Sequence, residues 1–186
     1  MSEVNPQDFK NNLFSIGWKF GQYVAPELSN FDRLFDIFKE LLIHTSGDFD
    51  ETMSLLDSND LIKFIRHEVE EKKKIIAGVC VGMQIMAKNS EEGLLDGFGW
   101  FDATVKKLDE TAILEKPFLP HMGWNNIYPS IENHSLLTNI NHELGFYFLH
   151  SFYMSCEEDR DVLASSKYGI NFPCIVKKEN VIGIQF

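Results

Sequence analysis

The chain reads as an α/β protein built on a largely parallel sheet, and three observations point there. Ile75-Ile76-Ala77-Gly78-Val79 is a short apolar run without polar alternation, bounded by turn residues, which is the pattern of a strand buried on both faces. Amphipathic helical spacing precedes it and a further helical start follows it. Later runs rich in aromatic and β-branched residues read as strands, so the two element types interleave, and an all-β fold fits the early helical periods poorly. The 186 residues, 44% hydrophobic and 13% aromatic with 16 Phe, suffice for one domain with a substantial core, and no repeat or Ser/Gly linker divides residues 1–186.

Taken in order, Phe31, Leu34, Phe35, Phe38, Leu41 and Leu42 fall at helical spacing behind a Ser29-Asn30 cap, which predicts an amphipathic helix. Thr45-Ser46-Gly47 signals a loop. A second helix is predicted from about Asp60 through Leu61, Ile65 and Val69, closed by Lys72-Lys73-Lys74, whose cations complement the helix dipole. The buried strand follows, then a helix near Met83. Phe146 to Leu149, Cys174 to Val176 and Val181 to Phe186 read as strands, the last two joined across Lys177 to Asn180. Ile182, Ile184 and Phe186 alternate to the final residue, so the sequence is expected to be a truncated record of a longer chain.

Charge and composition restrict the partners. A net charge of −11 repels nucleic acid and anionic lipid and favours a partner with a basic docking face. Apolar stretches end well short of the ~20 residues of a membrane helix, and the start lacks the basic and apolar regions of a secretory signal. Three cysteines, at 80, 156 and 174, are an odd count without CxxC spacing, as suits reduced thiols in a cytoplasm.

Chemistry concentrates at Gly78-Val79-Cys80-Val81-Gly82-Met83-Gln84, where a thiol sits between two glycines at the predicted passage from buried strand to helix. This is the form of a nucleophile elbow: a strained turn lifts the side chain clear of the sheet, and residues lacking Cβ let backbones approach. A sulfur at a helix N-terminus also meets the positive end of the dipole, which favours thiolate, and the Val81 amide would face a developing oxyanion. The competing reading is an inert cysteine in an apolar run. Other polar residues are less specific. His121 reads as a structural loop histidine. His150, ending an aromatic strand, is a better site candidate because ligand crevices form at strand C-termini, though a core imidazole fits as well. His134 and His142 lack metal-ligand spacing, so no metal is expected, and Gly97-Phe98-Gly99 lacks the rest of a dinucleotide fingerprint.

Several stretches add to the elbow in a consistent order: Ser90-Glu91-Glu92-Gly93, Gly97 to Asp102, Pro120-His121-Met122-Gly123-Trp124-Asn125, His150-Ser151-Phe152 and Val181 to Phe186. Together they resemble the glutaminase subunits of imidazole glycerol phosphate synthase, within the class I glutamine amidotransferases. The resemblance spans about residues 44 to 186, and residues 1–40 match poorly. It implies a flavodoxin-like three-layer sandwich that hydrolyses glutamine at a Cys-His-Glu triad and passes ammonia to a (β/α)8-barrel cyclase in a cytoplasmic heterodimer, without cofactor or metal. Carried onto this chain, Cys80 resembles the nucleophile, and Val81 and Gly47 the donors of oxyanion amides. Gln84, Ser151 and Phe152 resemble the glutamine-binding parts, and His121, Met122, Gly123, Trp124 and Asn125 the face toward the partner subunit.

Two departures qualify this. The family continues its last matched strand with His-Pro-Glu, whereas this sequence stops just before it, and none of the six histidines takes that place. Little turnover is expected of a thiol deprived of its base, a contribution of roughly a hundredfold to ten-thousandfold. A silent partner subunit, an ammonia donor to a related sugar-modifying synthase, and an esterase-like use of the thiol with His150 or His121 as base are the alternatives. The oxyanion loop, His44-Thr45-Ser46-Gly47 here, keeps only the last glycine of the family's Pro-Gly-Val-Gly.

Overall fold

The structure, a computed structural model, describes residues 41–45, 48–114, 118–131, 134–137 and 145–186. The expected helix over Phe31 to Phe38 lies outside these residues. Its last positions, Leu41 and Leu42, belong instead to a strand, β1 (Leu41–Thr45). Tertiary pairing overrides the helical spacing here, because β1 lies parallel to β2 (Ile76–Cys80) in register from Leu41 with Ile76 to Thr45 with Cys80. His44 and Thr45 are thereby strand residues rather than part of a loop.

Helix α1 (Phe49–Ser58) went unread in the sequence, although its signals are present. Asp48 caps it, its carboxylate accepting from Glu51 N at 2.7 Å, and Phe49, Thr52, Met53 and Leu56 form its buried stripe. Helix α2 (Leu61–Arg66) follows and runs into a π-type turn over His67–Glu71. Two of the three lysines after it share one carboxylate, while Lys73 reaches Glu179 at 3.6 Å. Lys72 meets the buried Glu68 at 2.6 Å, Lys74 holds its other oxygen, and these two hydrogen bonds keep that carboxyl below its usual range.

After β2 come the single turn α3 (Val81–Gln84), β3 (Asn89–Ser90), β4 (Ala103–Lys107), β5 (His121–Asn125) and β6 (Tyr128–Pro129). The chain then forms β7 (Phe146–His150), β8 (Phe152–Cys156), β9 (Val162–Tyr168), β10 (Ile170–Lys178) and β11 (Val181–Ile184). The main sheet has the order β1-β2-β11-β10-β9-β6. Its parallel part is β1, β2 and β11, while β10, β9 and β6 add antiparallel. The α/β class holds, and the sheet is mixed where a mostly parallel one was expected. Strands β3, β4 and β8 make a second small sheet, and β5 pairs with β7.

Two buried clusters flank this frame. Phe49, Ile65, Met83, Ile85, Phe101 and Met154 belong to the one that packs the helices; Phe148, Leu163, Phe172 and Ile175 belong to the other. No helix among the described residues is long and apolar enough to cross a membrane.

Candidate active site

The centre of the site is the end of β2, which has β1 on one side and β11 on the other. Cys80 leaves the strand at φ 55, ψ −118, a conformation that costs a residue bearing Cβ about 1–3 kcal/mol. Glycines make the turn possible. A Cβ on Gly78 would collide with the Gly82 carbonyl, so the strand and the first turn of α3 touch backbone to backbone. Gly183 of β11, paired with Gly78, completes the fit: a Cβ there would stand 2.7 Å from Met83 Cγ and 2.8 Å from Val176 Cγ2. Val81, Gly82, Met83 and Gln84 are buried, whereas Cys80 at the crest is only half-buried.

The expectation that the helix end would favour thiolate is outweighed by burial, since α3 is four residues long and the surrounding core withdraws water from the sulfur. Burial pushes the Cys80 thiol up, and the Glu92 carboxylate adds to this. The neighbouring Gln185 side-chain amide and the Val81 backbone amide pull the other way. The Val81 backbone amide is thus a donor beside the sulfur. Gly47, the second expected oxyanion donor, lies outside the described residues.

Glu92 is the functional candidate that sequence reasoning missed. Its carboxylate accepts from Phe49 N at 2.9 Å, at the start of α1, and burial with Asp48 and Asp50 nearby raises its pKa. Asp50 fastens the same loop by accepting from Leu94 N at 2.8 Å and Leu95 N at 3.0 Å. Only the stretch Ser90-Glu91-Glu92-Gly93 was legible; which of two adjacent acids turns inward depends on α1, more than 40 residues away.

Of the residues matched to substrate binding, Gln84 is buried with its amide engaged: Nε2 donates to Gln185 Oε1 at 2.8 Å and to Phe152 O at 3.3 Å. Ser151 and Phe152 are half-buried at the junction of β7 and β8. Ser151 O accepts from Leu108 N, and Phe152 O accepts from both Gln84 and His150.

The run His121 to Asn125 is split by strand alternation. Met122 and Trp124, 52% and 72% exposed, point outward beside Leu149 and Tyr147 of β7. His121, 3% exposed, points inward between the rings of Phe148 and Tyr168. His121 and His150 form one buried chain of hydrogen bonds. His150 Nδ1 donates to Phe152 O at 2.8 Å, which leaves its Nε2 to accept from His121 Nδ1 at 2.9 Å; His121 Nε2 then accepts from Asn125 Nδ2 at 3.1 Å. All four ring nitrogens are engaged, and burial lowers both imidazoles to about 4. Neither ring has a nitrogen left for Cys80, so an esterase-like base at either position has no geometric footing. Among the described residues no group of three or more His, Cys, Asp or Glu side chains is arranged to hold a metal ion.

The family described as "Glutamine amidotransferase class-I" matches residues 42–186. The chain is 44% identical to the imidazole glycerol phosphate synthase subunit HisH of Leptospira interrogans over 140 residues, 75% of this chain and 68% of that one. It is 39% identical to the HisH of Leptospira borgpetersenii, covering 80% and 72%. It is 34% identical to HisH 2 of Methanococcus maripaludis, covering 98% and 85%, so that similarity runs into the first 40 residues as well. The chain belongs to the class I glutamine amidotransferase family and, within it, to the group of HisH subunits.

Proposed function

We propose that the chain is the glutaminase subunit of an imidazole glycerol phosphate synthase, hydrolysing glutamine at Cys80 and releasing ammonia to a cyclase partner for histidine biosynthesis. The observation that carries the reading is the strained φ of Cys80 at the crest of a turn that Gly78 and Gly183 permit, with the Val81 amide a donor beside its sulfur. In this reading the Cys80 thiolate attacks the carboxamide carbon of glutamine. The S–C bond forms, the oxyanion is met by Val81 N–H and by an amide of Gly47, and the C–N bond breaks as the nitrogen takes a proton from water and leaves as ammonia. Water then cleaves the glutamyl thioester, returning the thiol and glutamate.

Glu92 places negative charge close enough to act on Cys80, and the same charge suits the α-ammonium of the substrate. Phe152 O is held by Gln84 and His150, so the Ser151-Phe152 backbone presents a fixed edge to glutamine. The outward face of β5 and β7, with Met122, Trp124, Tyr147 and Leu149 exposed, is an apolar patch of the kind that docks a partner, here a (β/α)8 cyclase. Three free thiols suit a cytoplasmic heterodimer.

The test is covalent capture. An electrophilic glutamine analogue is expected to add one equivalent of mass at the Cys80 peptide, and free glutamine to protect it. Labelling confined to Cys156, or labelling of Cys80 that glutamine does not slow, would remove the reading.

A further inference from the structure

Gln185 follows β11, is 0% exposed, and is anchored by its backbone N–H, which donates to Cys174 O at 2.8 Å. Strand β11 runs parallel to β2 and their register ends on Ile184 paired with Val79, so Gln185 and Cys80 are the next residue of each chain segment past that last pair. The two ends of its side-chain amide stand in unequal positions. Phe152 O can only accept, so Gln84 must turn its Nε2 group toward it; that same Nε2 meets Gln185 Oε1. The Gln185 carbonyl is therefore committed to Gln84, and its Nε2, with two N–H donors, faces away. That nitrogen is the one buried side-chain polar atom among the described residues without a hydrogen-bond partner. Unmade buried donors are rare in folded proteins and ask for an explanation.

We propose that Gln185 is a positioning residue for Cys80: its unspent amide donates to the sulfur once the thiol has lost its proton, holding the thiolate at the crest of the elbow beside the Val81 amide. The proton itself leaves to solvent or to buffer. An amide N–H donating to an anionic sulfur is stronger than one donating to a neutral thiol, so the bond forms in the state that reacts. The surroundings agree in direction. The Gln185 side chain favours the thiolate, while burial and Glu92, the charged group acting on Cys80 among the described residues, oppose it. Cys156 and Cys174 have no side-chain donor of this kind and are pushed up to about 12. The inference rests on Cys80 being the nucleophile.

The test reads the thiol directly, without glutamine turnover. The rate of iodoacetamide alkylation is followed against pH at each cysteine peptide by mass spectrometry, in the wild-type chain and in Gln185→Met, which keeps the length and removes the donor. The Cys80 profile is expected to move up by about one unit, slowing its alkylation at pH 7.5 about tenfold, while the Cys156 profile stays where it was. Superimposable Cys80 profiles overturn the proposal. A second measurement needs no substitution: in the wild-type chain the side-chain amide proton resonances of Gln185 are expected to shift across the same pH range as Cys80 alkylation and to be flat in Cys80→Ala. Flat resonances in the wild type overturn it equally. If the glutamine analogue fails to label Cys80 while the alkylation shift stands, the glutaminase reading falls alone; the reverse outcome removes only the role of Gln185.

Discussion

Two buried polar regions lie on either side of Phe152 and treat their hydrogen bonds in opposite ways. In the β5–β7 layer, His121 and His150 spend every ring nitrogen on each other, on Asn125 and on Phe152 O. At the end of β2, the sulfur of Cys80 is only half-buried, and the neighbouring Gln185 leaves one amide nitrogen unspent. A saturated network rigidifies, because each member is already in its best state. An unsaturated one has capacity for a charge that is absent at rest and arises during a reaction. Polarity and burial alone would rank the two regions alike; what separates them is the count of donors against acceptors.

The strongest way to break this contrast is Cys80→Ser. Glutamine-dependent release of glutamate, measured with the proposed cyclase partner present, is expected to fall by at least ~10³-fold, with the urea midpoint little changed. A double substitution of His121 and His150 by Phe removes one of the two holders of Phe152 O and should cost that chemistry about tenfold, far less than loss of the thiol. Equal losses in the two variants would erase the distinction.

Gly78→Ala comes next. The new methyl meets the Gly82 carbonyl as well as the end of the Met86 side chain, and the backbone cannot step aside as a side chain can, so a loss of about 3 kcal/mol or more is expected from chemical denaturation. Gly183→Ala meets the side chains of Met83 and Val176 instead and should cost about 1–3 kcal/mol.

The imidazole layer carries a pH signature. Both histidines are held near 4 in the folded chain against an ordinary value of 6.5, so the neutral pair contributes stability fully above pH 6.5. That contribution is lost as pH falls from about 6.5 toward 4, where the unfolded chain binds protons that the folded chain refuses. The urea midpoint should therefore decline over that window as one coupled event, and the double Phe variant should flatten it. Glu68, held below its usual 4.5 by its two lysines, supplies a separate loss at lower pH that the variant retains.

The smallest effect on the fold is expected at Trp124. Being 72% exposed on the outward side of β5, Trp124→Ala should alter stability by no more than about 0.5 kcal/mol, yet weaken binding to the proposed cyclase partner by about 2 kcal/mol, as titration calorimetry would measure.

How much of this was legible in the sequence varies with the reach of each interaction. The elbow was readable because its requirement is local: Gly78 and Gly82 stand two positions either side of Cys80, and the close approach of the Gly82 carbonyl leaves no room for a Cβ at Gly78. The hairpin of β10 and β11 was readable for the same reason. Leu41 and Leu42 were misassigned because their apolar spacing suits a helix as well as a strand, and only the parallel pairing with β2 decides between them. His121 looked like a loop residue because its stacking partners Phe148 and Tyr168 are remote in sequence.

The sequence by itself determined the α/β class, the bend at Cys80 and, through its ordered motifs, the family. The tertiary structure alone decided which polar groups meet: Glu92 with Phe49, His121 with His150 and Gln84 with Gln185, across 43, 29 and 101 residues. The physical reason is that periodicity and turn chemistry act within a few residues along the chain, whereas a buried hydrogen bond is chosen by whichever donor and acceptor the packed sheets carry within about 3 Å of each other.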